Sequence, residues 1–238
     1  MRRFRHYYTV FNRIKRSRGF GIHSPFAFNF ILRVLRERNH YYAYTDIKRR
    51  RKKAYALSGK LDKNHPKVIS SRNAKLLFRI ACYFTPDHIL QLGTAYGVST
   101  TAMLDVSSLS RVTIDMCDNK YPEIYDEITA DFRSRINIIN NTPKALDYYL
   151  TISEGKRPFV LINTFREEDY TTVKDLLTIV LDREGVVILR NIAKDETAGQ
   201  LWREFKPLMN HGMSFSNDYT LILVGLRHLP LQHFNISF

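Results

Sequence analysis

Hydrophobic residues along this chain recur first at helical spacing and then, beyond residue 70, as short apolar runs separated by amphipathic stretches. Phe26, Phe30, Ile31, Val34 and Leu35 share one helical face, with Arg33, Arg36 and Arg38 largely away from it. Ser24-Pro25 supplies the start of that helix, a hydroxyl cap followed by a residue whose fixed φ suits the first turn. Such a face has to be covered, either by the main body of the chain or by a second copy of it. A further helix is predicted from Ser71 through Phe84, stopped by Pro86. After it, strands are predicted at His88–Leu92, Val112–Asp115, Ile136–Ile139, Phe159–Asn163 and Val186–Arg190, with helices near 98–106, 120–133, 143–150, 168–181 and 196–209. This alternation implies a parallel sheet covered by helices on both faces. The pattern changes at the end. Met213–Phe215 and the apolar run Tyr219–Leu226 are joined by a turn at Asn217-Asp218, a connection so tight that these two strands must be antiparallel.

Composition adds the scale of the core. Hydrophobic residues make up 44% of the 238 positions, and fifteen Phe and fourteen Tyr stand against eight Pro, which excludes a largely disordered chain. Charge is distributed unevenly: of the formal +14, residues 1–60 hold seventeen Lys and Arg against only Glu37 and Asp46, leaving the other 178 residues close to neutral. A basic region attracts RNA, anionic lipid or an acidic protein face, or it serves only as a solvated surface. The six consecutive cations Lys48 to Lys53 repel one another, so this stretch is expected to be exposed. It also divides the chain, into a basic and mainly helical extension at 1–68 and an α/β domain at 69–238. Cys82 and Cys117 belong to no C-x-x-C unit and are expected to be buried, reduced thiols, in keeping with a cytoplasmic protein. Met1-Arg2-Arg3-Phe4-Arg5 begins like a signal peptide, but Arg13, Lys15, Arg16 and Arg18 break any apolar run that would have to come after it. No segment approaches the roughly 20 apolar residues of a membrane span.

The strongest chemical signal is His88-Ile-Leu-Gln-Leu-Gly-Thr-Ala-Tyr-Gly-Val-Ser-Thr100, an apolar strand, a G-x-x-x-G turn and a helix start. Without a Cβ, Gly93 and Gly97 let a ligand approach the backbone, or they serve only the tight turn. About twenty residues later Val112-Thr-Ile-Asp115 ends a second strand with an acid, placed to accept both hydroxyls of a ribose or to cap the segment after Cys117. The wide glycine spacing differs from the G-x-G-x-x-G of dinucleotide sites.

With these residues in place, the sequence resembles the class I S-adenosylmethionine-dependent methyltransferases, in particular those shaped like catechol and caffeoyl-CoA O-methyltransferases. The likeness runs from about Ser71 to Leu226, through the glycine turn, the acid after the second strand and the antiparallel end strand. The opening Gly19-Phe-Gly-Ile-His-Ser-Pro-Phe26 and the closing Gln232-His-Phe-Asn-Ile-Ser-Phe238 are similar to the ends of a bacterial methyltransferase-like group. The resemblance implies a Rossmann-like, seven-stranded, mostly parallel sheet of order 3-2-1-4-5-7-6 with the last strand antiparallel, behind an N-terminal helical extension. It implies S-adenosylmethionine as cofactor, with Gly93 and Gly97 beside its methionine part, Thr94 also among the residues that bind it, Asp115 on its ribose, and Asn141 and Thr142 near its adenine. Ser99 and Thr100 would bond the methionyl carboxylate and Tyr96 would bring its ring near the sulfonium, although Ser99 also fits as an ordinary first-turn hydroxyl.

The sequence departs from the family where chemistry happens. Metal-dependent relatives end the fourth strand with Asp and the fifth with Asp-Asn or Asp-Asp, whereas here those positions read Asn163 and Arg190-Asn191. Two neutral amides and a cation lack the negative charge that binding Mg²⁺ requires, so no metal is expected. Arg190 suits an anion such as a substrate carboxylate or phosphate, or a salt bridge to Glu167, Glu168 or Asp169. His23, ahead of a helix cap, is structural or touches substrate, and Asn163 is a candidate substrate contact beside Arg190. The eight histidines show no H-x-x-H spacing, no nucleophile turn is present, and no general base is evident. The expectation is therefore a metal-independent methyltransferase-like protein acting on a small acceptor. A catalytically degenerate relative and an RNA-binding or RNA-modifying protein using Lys48 to Lys53 are the competing readings, and a homodimer stays open.

Overall fold

The computed structural model describes residues 21–61, 65–117, 119–217 and 219–238. The basic opening through Phe20, part of the opening motif and Asp218 of the last turn lie outside the described residues. Ser24 caps helix α1 (Pro25–Phe30), its Oγ accepting from the Ala27 N–H at 3.3 Å, with Pro25 in the first turn. The helix continues as a π-turn over Ile31–Leu35, where the Arg36 N–H reaches back to the Ile31 carbonyl. Carbonyls left over at that end are satisfied by Arg79, a buried guanidinium that donates through Nε to Val34 O at 2.6 Å and through Nη2 to Leu35 O at 3.2 Å.

Helices α2 (Ala43–Ser58) and α3 (Ser71–Phe84) come next. Ser70 caps α3, and its last turn ends at Thr85 in a left-handed conformation just before Pro86, where the sequence puts the stop. The rest alternates: β1 (His88–Leu92), α4 (Val98–Leu104), β2 (Arg111–Asp115), α5 (Pro122–Thr129), β3 (Ile136–Ile138), α6 (Thr142–Ile152), β4 (Phe159–Ile162), α7 (Tyr170–Asp182), β5 (Val186–Arg190), α8 (Glu196–Phe205), then β6 (Met213–Ser216), β7 (Thr220–Val224) and β8 (Gln232–Asn235).

The sheet order is β3-β2-β1-β4-β5-β7-β6-β8. Strands β1 to β5 are parallel to one another, β7 runs antiparallel to both β5 and β6, and β8 pairs parallel with β6. The Rossmann-like order and the reversed strand are those expected. The sheet has eight strands instead of seven because the closing segment adds β8 at the β6 edge. Central strands alternate faces: Ile89, Leu161 and Ile188 enter one core with Phe30, Met103 and Phe215, while Leu90, Ile162 and Leu189 enter the other with Leu146, Leu176 and Leu201.

The apolar face of α1 is covered by the main body of the chain. Phe30 packs against Phe215 with ring centroids 4.9 Å apart, and the tail residues Ile236 and Phe238 join the same core. The cationic stretch lies in α2. Lys48, Arg49, Lys52 and Lys53 are exposed as expected, but Arg50 is not. Residue 50 shares the inward face with Ile47 and Ala54, and its guanidinium pairs with Asp105 and lies 5.0 Å over the Phe132 ring. Arg51 Nε donates to Ile69 O at 2.8 Å, which fixes the segment leading into α3. Cys82 and Cys117 are unpaired and half-buried, less enclosed than expected. Among the described residues no helix is long and apolar enough to cross a membrane.

Candidate functional site

A cavity of about 610 Å³ opens at the carboxyl ends of β1, β4 and β5, within the range of small-molecule sites. Its walls come from the loop after each of those strands, from Cys117 and Asn119–Tyr121 beyond β2 and from Pro66–Ile69 ahead of α3. Thr94, Tyr96, Gly97 and Ser99 line it, as do Asn163 and Arg190. Gly97 has φ +76 at the start of α4, where no side chain caps the helix. Thr94 Oγ1 is buried on the wall without a hydrogen-bond partner. Such an orphan is costly unless a ligand or water completes it.

Several residues expected at the site are placed elsewhere. Gly93 is not on the cavity wall. A Cβ there would stand 2.5 Å from Thr164 Cγ2 and 2.7 Å from the Thr164 carbonyl oxygen, so the glycine permits a close approach of the loop after β4 and not of a ligand. Gly97 touches the cavity, yet a Cβ on it would meet Thr129 Cγ2 at 2.6 Å, so packing on α5 also demands glycine. Thr100 points inward, donating to Gln91 Oε1 at 3.0 Å. Tyr96 lines the cavity, but its hydroxyl donates to Pro66 O at 2.9 Å and lies 3.0 Å from His65 Nδ1. His23 is exposed and not on the wall. Asn141 is the exposed cap of α6, accepting from the Lys144 N–H at 3.0 Å.

The largest departure concerns Asp115. Its side chain is fully buried, does not line the cavity, and is engaged by Arg166, whose Nη1 donates to Oδ2 at 2.9 Å and Nη2 to Oδ1 at 3.2 Å. The Cys117 N–H donates to Oδ1 at 2.8 Å, and the Thr142 hydroxyl lies 2.7 Å from Oδ2. That hydroxyl is also 2.6 Å from Asp169 Oδ2, and having one proton it serves one carboxylate at a time, whereas Arg166 bonds both. Burial alone would push the Asp115 carboxyl up, but hydrogen bonds from Arg166, Cys117 and Thr142 hold it below the usual carboxylate range. Thr142 therefore joins an internal charge cluster, not the cavity.

No family model matches the sequence, and no curated protein is detectably similar to it. Solved structures are similar in shape. A putative caffeoyl-CoA O-methyltransferase from Staphylococcus aureus shares 15% identity over 82% of this chain and 97% of its own, with a TM-score of 0.56. The O-methyltransferase from Bacillus cereus, in complex with SAH, shares 17% over 82% and 96%, with a TM-score of 0.53. An SAH-bound methyltransferase from Podospora anserina shares 11% over 86% and 97%, with a TM-score of 0.52. The chain has the class I O-methyltransferase fold.

Within this fold, the ends of β4 and β5 are built around Asn163. Its N–H donates to Leu92 O and its Nδ2 to Gly93 O, both at 2.8 Å, which leaves Oδ1 to accept from Arg190 Nη1 at 2.7 Å. Asn191, left-handed at φ 64, donates through Nδ2 to Asn163 O at 3.1 Å. The salt bridge weighed for Arg190 does not form: Asp169 pairs with Arg166 instead, and among the described residues no carboxylate lies within ion-pair distance of Arg190. Burial pushes the Arg190 guanidinium down to about 10, so it stays charged at neutral pH. Cys117, on the wall, has its thiol pushed up to about 12 by burial and by the Asp115 charge, and is protonated at neutral pH. Among the described residues no three His, Cys, Asp or Glu side chains gather as metal ligands. Sequence reasoning missed Asn119, which lines the cavity and donates to Ala95 O at 2.8 Å, and it missed Arg166 altogether.

Proposed function

We propose that this protein is a methyltransferase-like protein that takes S-adenosylmethionine in the cavity after β1 and acts on a small acceptor without a metal. The observation that carries this reading is the wall at Thr94–Ser99. Thr94, whose buried hydroxyl has no hydrogen-bond partner, lines a cavity of ligand size at the switch point of the sheet together with Tyr96, Gly97 and Ser99. Thr94 and Ser99 would hold the amino-acid end of the cofactor. The cofactor supplies a methyl group on a sulfonium, transferable to a nucleophile by in-line displacement, and the residues around it align the partners and exclude water.

The ribose end fits less well, because Asp115 is already bonded by Arg166. This contact favours a second reading, in which the chain keeps the fold but its cofactor site is closed. Calorimetric titration of S-adenosylmethionine and its demethylated product into the full chain and into Arg166→Met separates the readings. Saturable binding to the unmodified chain supports the first. Binding that appears only in Arg166→Met supports the second with Arg166 as the closing contact, and binding to neither folded protein overturns the first.

A further inference from the structure

The class of molecule that approaches the β4 and β5 ends is written in the charge of that wall. Arg190 is a half-buried guanidinium whose one described protein partner is a neutral amide oxygen, Asn163 Oδ1 at 2.7 Å. The amide is not free to turn, since its Nδ2 is bonded to Gly93 O, so the guanidinium is held in one place on the cavity wall. Lys67, Lys120 and Lys194 add exposed cations to the same lining, and its one acid among the described residues, Asp195, caps α8 by accepting from the Ala198 N–H at 3.1 Å. A desolvated cation without a counter-ion is unfavourable by itself and becomes favourable when an anion completes it.

We infer that Arg190, positioned by Asn163, is the recognition site for an ionised oxygen on the acceptor, a carboxylate or an equally acidic hydroxyl. The inference rests on the methyltransferase-like reading only for the word acceptor; the anion site stands on the residues themselves. It also accounts for the missing base. Transfer to an oxygen that is already ionised forms one C–O bond and breaks one C–S bond, with the bonding pair passing to sulfur. No proton moves. Among the described residues the cavity wall holds no free carboxylate or histidine, and its Cys117 is protonated.

The test uses the full chain and two fluorinated probes of the same shape, 4-fluorobenzoate and 4-fluorobenzamide, followed by ¹⁹F NMR titration in the presence of EDTA. The benzoate is expected to bind at least tenfold more tightly than the amide. That preference should vanish in Arg190→Met and survive in part in Arg190→Lys, with circular dichroism reporting whether each variant is folded. Equal binding of both probes, or no binding of either, overturns the inference from the unmodified protein alone. Displacement of the benzoate by S-adenosylmethionine also overturns it, because Arg190 would then hold the cofactor's own carboxylate. Preference for the benzoate without any S-adenosylmethionine binding leaves the anion site standing and removes the proposed function.

Discussion

Replacing Arg166 with Met exposes what the Asp115 cluster is worth. In the native chain the Asp115 carboxylate, fully buried, accepts two hydrogen bonds from one guanidinium, and the same guanidinium reaches Asp169 at 3.2 Å. Removing one partner of a buried ion pair leaves an uncompensated charge and costs about 3–5 kcal/mol. The direction of the shifts sets the sign with pH. In the native protein the Asp115 carboxyl is held low, so its stabilisation is present above the unfolded value near pH 4 and is lost only as the pH falls through the lower folded value. Without Arg166 the burial that already opposes ionisation dominates and the carboxyl is raised instead. The variant is then relieved by protonation at low pH and penalised as the pH rises. Urea denaturation followed by the fluorescence of the single Trp202 should show a deficit of about 3–5 kcal/mol at pH 7 that shrinks toward pH 4. The double variant Arg166→Met/Asp115→Asn should recover much of the loss at pH 7. A deficit of equal size at both pH values, or one below about 1 kcal/mol, would refute the reasoning.

Gly93→Ala should destabilise by about 2–4 kcal/mol in the same assay, because φ is +73 and the new methyl would meet Thr164 backbone atoms that have nowhere to move. Arg50→Met should cost about 3–5 kcal/mol by leaving Asp105 buried and unpaired, while Lys48→Ala and Lys52→Ala, on the exposed side of the same helix, should stay within about 0.5 kcal/mol. Equal losses at positions 50 and 52 would place α2 differently on the body. Phe30→Ala should cost about 3–5 kcal/mol, since its ring is fully enclosed against Phe215 and Phe84. A thermal melt unchanged by that variant would mean the first helix does not belong to the core.

The parts of the fold that could be read along the chain are those whose cause is local. Alternation of apolar runs with amphipathic segments announces a parallel sheet, and Pro86 stops α3 because the residue before it cannot stay helical. Strand β8 escaped because Gln232–Asn235 is short, half-polar and at an edge, where only the neighbouring β6 makes it a strand. The run of cations misled for a related reason: successive residues point to different sides of a helix, and the 3.6-residue turn carries Arg50 inward while Lys48 and Lys52 stay out. Asp115 shows where local reasoning ends. An acid at the end of a buried strand has to be compensated, and that much is legible. Which group compensates it depends on a residue 51 positions further along, in a loop that folds back over the strand ends and brings Arg166 to where a ribose was expected. Arg190 is the inverse case. The sequence offers it three acids nearby, and Arg166 takes one of them while the other two stay exposed, so the cation that looked paired is left facing the cavity. Arg166 thus engages the carboxylate at the end of β2 away from the cavity, while Arg190 lies on the cavity wall at the end of β5 with no carboxylate partner among the described residues.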